Sequence, residues 1–420
     1  MNPTKDWLYT TNIYEVNLRQ YTQEGTIRAF AAHLPRLRDM GVETLWFMPL
    51  TPISQKEKKG TMGSYYACSD YVSVSPEFGT LDDFRELVRQ AHNQGFKVII
   101  DWVANHTGWD HKWTVEHPDW FEKDEATGDF KRASGMDDIM ELDFRNPDMR
   151  RAMTDAMKFC VTECAIDGFR CDLAFWVELD YWLEAIPQLN RIRPLFWLAE
   201  SDPLHHPDYM QVFDAAYSWA WMHKTADWYR HHLPLSELIQ VLSRYEHTPG
   251  IKAWFTSNHD ENSWNGTEYE KYGSAAKVLA VHSFTWTGIP LIYSGQELPN
   301  LKRLKFFDKD VIEWSGQFEL EEFYKILLKL RKNPALHAQS DLFRLATSAD
   351  TSVLAYLRKK GNDEVLVLLN LTGENVRFRI LPDWVKGRFT EIFSSMEMEF
   401  NKGASIELEP WGYRVFASTH

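Results

Sequence analysis

Short apolar runs that stop abruptly at polar or charged side chains recur along the first three-quarters of the chain. Phe96-Lys97-Val98-Ile99-Ile100, entered from Gly95, leads into Asp101-Trp102-Val103-Ala104-Asn105-His106. Such a run, rich in β-branched residues, reads as a buried parallel strand. Candidate strands are Ile13–Asn17, Thr44–Met48, Lys97–Trp102, Gly168–Asp172, Phe196–Glu200, Val212–Ala216, Ala253–Ser257 and Pro290–Ser294. They alternate with amphipathic helical stretches, and eight such units are the count of a (β/α)8 barrel. The helices carry start signals. Gly79-Thr80-Leu81-Asp82-Asp83-Phe84 predicts a helix capped by Thr80, with acids in its first turn and Phe84, Leu87, Val88 and Ala91 on one face.

The pattern breaks twice. After His106 come roughly 40 residues without a clear period, holding Trp109, Trp113, Trp120 and Gly128; long irregular insertions in compact domains are usually lids or small subdomains. Beyond about residue 340 the helical period gives way to alternation, in Ser352–Arg358 and Glu364–Asn370 around a hairpin loop at Lys359–Asp363. Further strands are expected near Val376–Ile380, Arg388–Glu391, Ala404–Glu407 and Tyr413–Ala417. The fold expected is therefore α/β: a (β/α)8 TIM barrel over 1–104 and 146–338, a small insertion after strand 3 over 105–145, and a C-terminal antiparallel β-sandwich over 339–420.

Composition narrows the function. A net charge of −14 argues against nucleic acid or an anionic membrane as the main partner. The 18 Trp, 17 Tyr and 25 Phe suit a ligand with apolar ring faces, such as a sugar, although most serve as core in a large barrel. Cys68, Cys160, Cys164 and Cys171 form no zinc-ligand spacing and are expected to be free thiols. The polar start Met1–Asp6 and the lack of any 18-residue apolar stretch favour a cytoplasmic protein, with no membrane segment; a periplasmic or secreted protein whose leader had been removed would look the same. The oligomeric state is left open.

The polar strand ends carry the chemistry. In Gly168-Phe169-Arg170-Cys171-Asp172, alternation puts Arg170 and Asp172 on one side and Cys171 on the other. A guanidinium beside a carboxylate lowers the acid's pKa, which suits a nucleophile. Leu195–Glu200 delivers one Glu from apolar surroundings, which should raise its pKa toward that of a general acid. Ala253–Asp260 ends in His259, a donor to substrate hydroxyls, and Asp260, a third carboxylate. Two carboxyls flanking a bond are the minimal machinery of glycoside hydrolysis, and Asp172 with Glu200 on successive strands predicts a retaining pair.

These four segments resemble, in order, the four conserved regions of the α-amylase family, glycoside hydrolase family 13: DWVANH at 101–106, GFRCD at 168–172, LAE at 198–200 and SNHD at 257–260. Tyr66–Tyr71, Met140–Phe144 and Gly288–Glu297 resemble weaker motifs of the same family. The resemblance implies Asp172 as nucleophile, Glu200 as acid/base and Asp260 as transition-state stabiliser. Tyr66, Asp101, His106, Arg170 and His259 would bind the sugar being cleaved, with Asp101 also holding Arg170. It further implies an α-linked glucan or oligosaccharide as substrate and no required cofactor. Asn105 resembles a position that ligates a structural calcium.

One departure bears on specificity. Many starch-cleaving members carry Lys-His shortly after the nucleophile, where this chain has Phe175 and Trp176, which hints at shorter acceptor binding. The reading is a retaining hydrolase of α-1,4 links in maltooligosaccharides or starch fragments. An α-1,6-glucosidase, a transglycosylase or a trehalose-forming enzyme would use the same residues. A non-catalytic sugar-binding relative would typically lack one of the three carboxylates, and all three are present. A metal-dependent hydrolase built on His106 and His259 has too few ligands. His205-His206, His231-His232 and Lys56–Lys59 are expected to be solvated surface residues.

Overall fold

The computed structural model describes residues 5–418, apart from 315, 317 and 402. Eight parallel strands close into a barrel in sequential order: β1 Ile13–Val16, β2 Thr44–Phe47, β3 Lys97–Trp102, β4 Gly168–Cys171, β5 Phe196–Ala199, β6 Ala215–Tyr217, β7 Ile251–Trp254 and β8 Ile289–Tyr293. Six of them lie within a residue of their expected bounds. β6 is displaced forward by one to three residues and β7 back by two to three.

Alternation along these strands sorts two cores. Inward positions fill the barrel with Ile13, Trp46, Ile99, Phe196, Leu198, Ala215, Tyr217, Ala253, Ile289 and Leu291. Outward positions such as Tyr14, Val16, Val98, Phe169 and Trp197 pack on the surrounding helices. Burial on both faces is why each strand reads as a continuous apolar run. Gly168 has a steric reason: a methyl group there would collide with the backbone oxygen of Phe196 in β5. The helix Leu81–Asn93 carries the expected Thr80 cap as a full capping box, Asp83 N–H donating to Thr80 Oγ1 at 3.1 Å and Thr80 N–H to Asp83 Oδ2 at 2.9 Å.

The segment after β3 is more ordered than its sequence suggests. His106–Gly108 pairs antiparallel with Ile139–Glu141, with helical turns between. Gly108 packs so closely on the loop after β2 that a side chain there would strike Ser54.

The C-terminal part is a six-stranded antiparallel sheet, in the order Asp341–Leu345, Val353–Lys360, Asp363–Asn370, Tyr413–Ser418, Gly387–Glu391, Glu397–Phe400, facing a two-stranded sheet of Val376–Arg379 and Ser405–Leu408. Leu357, Leu366, Leu368, Phe389 and Phe416 fill the space between the sheets, while Tyr356, Val365, Val367 and Leu369 join the core of the barrel. The expected hairpin loop is tighter than expected, because Lys360 pairs with Asp363 and only Gly361 and Asn362 turn. Among the described residues no helix is long and apolar enough to cross a membrane.

Candidate active site

At the C-terminal ends of the strands the inward positions turn polar, and they converge on the fully buried guanidinium of Arg170. Its Nη1 donates to both oxygens of Asp101 (2.9 and 3.1 Å) and to Asp172 Oδ1 (2.9 Å), and its Nε donates to Tyr217 Oη (3.2 Å). Its Nη2 lies 2.8 Å from Glu200 Oε2, an ion-pair approach out of line for a hydrogen bond. Glu200 Oε2 also accepts from the Leu173 N–H at 2.9 Å. The Trp46 ring lies 5.0 Å from the guanidinium carbon. Asp172 and Glu200, expected to act together, are thus held on the two arms of one cation.

One cation shared by three buried carboxylates does not balance their charge, so their pKa values lie above the usual carboxylate range. Burial pushes Asp101 and Asp172 up to about 6 and Glu200 up to about 7, against the opposing pull of Arg170. This corrects the expectation for Asp172: the guanidinium does lower its pKa, but desolvation outweighs that effect.

His259 completes a second cluster. Its Nδ1 lies 2.5 Å from Glu15 Oε1 and its Nε2 2.7 Å from Tyr66 Oη and 3.3 Å from Asp260 Oδ2. Burial disfavours the imidazolium, but Asp260 and Glu15 outweigh it and raise the pKa to about 9. Both nitrogens then donate, and Tyr66 Oη donates its own hydrogen bond to Asp101 Oδ2 at 3.0 Å. The Tyr66 ring stacks on His259 and Phe306. His106 is buried, and neither ring nitrogen meets a hydrogen-bond partner among the described residues. Burial lowers its pKa to about 4, so it is neutral. Buried polar atoms are normally paired, so an unpaired ring lining a cavity points to a ligand.

All the sequence-selected residues except Asn105 meet at this floor. Tyr66, His106, Asp172, Glu200 and Asp260 line one cavity of about 380 Å³, with Lys59, Asp138, Trp264, Phe306 and Phe307 on its walls. Sequence reasoning missed Glu15, Trp46 and Tyr217 beneath the floor. Glu15 had a signal, since a lone acid inside an apolar strand needs a buried partner. Lys59 corrects another expectation: Lys56 and Lys58 are exposed, but Lys59 forms an ion pair with the buried Asp138 at 2.8 Å. His206 is half-buried and stacks on Phe175, with ring centres 4.4 Å apart.

Asn105 lies in a neighbouring cavity of about 410 Å³ with Glu122, Lys131, Glu141, Trp176 and Glu178. Its Nδ2 is buried without a partner. Calcium takes six to eight oxygen ligands. Here the Lys131 ammonium sits 2.5 Å from Glu141 and 3.4 Å from Glu122, already neutralising the acids a cation would need. Among the described residues no three His, Cys, Asp or Glu side chains gather in a metal-holding arrangement. The residues around Asn105 do not fit a calcium site. All four cysteines are free and buried.

Residues 9–131 match the family model of the α-amylase catalytic domain, and residues 343–415 match that of the maltogenic amylase C-terminal domain. The chain is 28% identical over 399 residues to the α-amylase MalA of Haloarcula japonica, covering 88% of this chain and 56% of the relative, so it spans little more than half of that protein. Among solved structures it resembles a noncanonic maltogenic α-amylase, AmyB, from Thermotoga neapolitana (TM-score 0.90, 27% identity, covering 98% of this chain and 99% of that one). It also resembles an α-amylase from Lactobacillus plantarum (TM-score 0.87, 26% identity, covering 99% and 100%).

Proposed function

Because this chain belongs to the α-amylase family of glycoside hydrolases, we propose that it cleaves α-1,4-glucosidic bonds of maltooligosaccharides or starch fragments by double displacement. In the first step Asp172 Oδ attacks the anomeric carbon while its bond to the leaving oxygen breaks and Glu200 gives that oxygen its proton. In the second, Glu200 as carboxylate takes a proton from water, the hydroxide displaces Asp172, and the α configuration is restored. Asp260 and His259 bind hydroxyls of the same sugar, and the neutral His106 offers one ring donor and one acceptor. The observation that carries this reading is the pair Asp172 and Glu200 on one guanidinium, 2.9 and 2.8 Å from its two terminal nitrogens.

The test is a product profile on maltoheptaose, isomaltose and pullulan, with proton NMR of the first anomer formed. Cleavage of maltoheptaose with the α anomer appearing first is expected. First appearance of the β anomer would overturn the double displacement, and cleavage confined to isomaltose would move the specificity to α-1,6 bonds.

No bound calcium is needed in this reading, since Lys131 supplies the charge beside Asn105. Removing free metal with EDTA should leave the melting temperature within about 1 °C, because only a ligand of the native state stabilises it. A fall beyond about 5 °C, reversed by added calcium, would contradict this, being the size of shift that loss of a tightly held ion produces.

A further inference from the structure

The walls of the pocket are unequal around the barrel. Glu200 follows β5, and directly across the closed barrel stands β1, flanked by β2 and β8. Above β1 the loops after β2 and β8 are fastened together. Thr61 donates from its backbone N–H and from Oγ1 to Asp308 Oδ1 (2.8 and 2.6 Å), and the Met62 N–H donates to the Phe307 carbonyl (3.0 Å). The buried Arg19, just after β1, donates from one nitrogen to the carbonyls of Gly63 and Phe306, tying both loops at once (3.0 and 3.3 Å). Gly60, at φ +61°, comes so close that a Cβ there would sit 2.6 Å from Phe307 Cβ. The Lys59–Asp138 ion pair continues this wall to the insertion after β3. On the other flank Trp264, after β7, stands against Phe306 and Phe307 with ring centres 5.5 and 5.6 Å apart.

A continuous rim therefore runs from the β7 loop through β8, β1 and β2 to the insertion. A glycosidase acid protonates the leaving-group oxygen, so the leaving group lies beside Glu200 and the rest of the chain on the other side of the bond runs away from it. That direction leads into the fastened wall.

Resting on the α-glucan reading above, we propose that the pocket is blind at this end: the enzyme takes α-glucan chains by their non-reducing terminus and releases short units from it, the stop being the Gly60–Thr61/Phe307–Asp308 clasp with the Lys59–Asp138 pair. The cavity, of about 380 Å³, has Lys59, Asp138, Phe306 and Phe307 among its lining residues, so the clasp bounds it on this side. A free 4-hydroxyl at the chain end is then part of the substrate's definition, because a substituent there meets the wall.

Two nitrophenyl α-maltoheptaosides test this, one free and one carrying a 4,6-O-benzylidene group on its non-reducing glucose, each followed by chromatography of all products. The wild-type enzyme is expected to consume the free compound and to cleave the blocked one about 100-fold more slowly or not at all, the range that steric exclusion from a shaped pocket provides. Equal rates would overturn the blind pocket while leaving the α-glucan reading in place. No cleavage of the free compound would remove that reading and this inference together. Lys59→Ala and Phe307→Ala, each thinning the wall, should narrow the gap between the two substrates several-fold. A gap unchanged in both variants would overturn the assignment of the stop to this wall.

Discussion

Asp172→Asn is expected to lower kcat on maltoheptaose by about 10⁴-fold or more, the scale of loss when a covalent nucleophile is removed, while maltooligosaccharide binding persists. The replacement is nearly isosteric and its amide oxygen can still accept from Arg170 Nη1, which now holds the carboxylate at 2.9 Å. What disappears is the anion proposed to bond the anomeric carbon. Binding, measured by calorimetry with maltoheptaose, should survive because His106, His259, Asp260 and Tyr66 are untouched. Two further readouts separate a nucleophile from a residue that merely props up the site. Asp172 is among the charges that raise Glu200, so its neutralisation should lower the Glu200 pKa from about 7. And Asp172→Gly with added azide should regain activity and yield a β-glycosyl azide, since azide enters from the side the carboxylate has vacated. An Asp172→Asn enzyme as active as the wild type would end the double-displacement proposal.

Much of the barrel and its floor was legible because the physics that builds them is local. A strand buried on both faces must be a continuous apolar run, and a run that breaks into Asp, Asn and His can only do so where the chain leaves the core. That logic found all eight strands and brought Asp101, Arg170, Asp172, Glu200, His259 and Asp260 together. The walls of the pocket were not legible. Thr61 and Asp308 are 247 residues apart, and nothing in either segment announces the bond between them. Lys59 reads as one lysine among several until folding brings Asp138 beside it.

The C-terminal sheet shows the same division. The two strands missed there, Asp341–Leu345 and Glu397–Phe400, are its two edges. Edge strands are short, partly exposed and rich in charge, which erases the periodicity that marks a central strand. The central strand Asp363–Asn370 corrects the alternation expected over Glu364–Asn370: it is buried on both faces, one against the second sheet and one against the barrel, and Val365–Leu369 is apolar throughout. The pKa of Asp172 belongs with these non-local features. The dipeptide spacing to Arg170 gives the attractive partner, but the opposing effects, burial and the Asp101 carboxylate on the same guanidinium, arise only when other strands close around it.

Glu200→Gln should separate leaving groups as no other substitution here does. Without a proton to give, departure of a sugar oxygen slows, and a loss of about 10²- to 10⁴-fold on maltoheptaose is expected for removal of a general acid. A maltosyl fluoride needs no protonation, so Asp172 should still be glycosylated at a rate much nearer that of the wild type; return of the enzyme, which needs Glu200 as base, then becomes the slow step and the intermediate accumulates. The pH profile carries the sign of the argument. In the free enzyme kcat/KM requires Asp172 ionised and Glu200 protonated, so activity rises as pH climbs through about 6 and falls as it passes about 7, a narrow bell belonging to the coupled pair. Glu200→Gln keeps the acid limb and loses the alkaline one, and because it removes a carboxylate from Arg170 the acid limb should move to lower pH. Should the fall near pH 7 persist in the variant, as distinct from one near 9 that belongs to His259, some other group owns it, and Glu200 is not the acid.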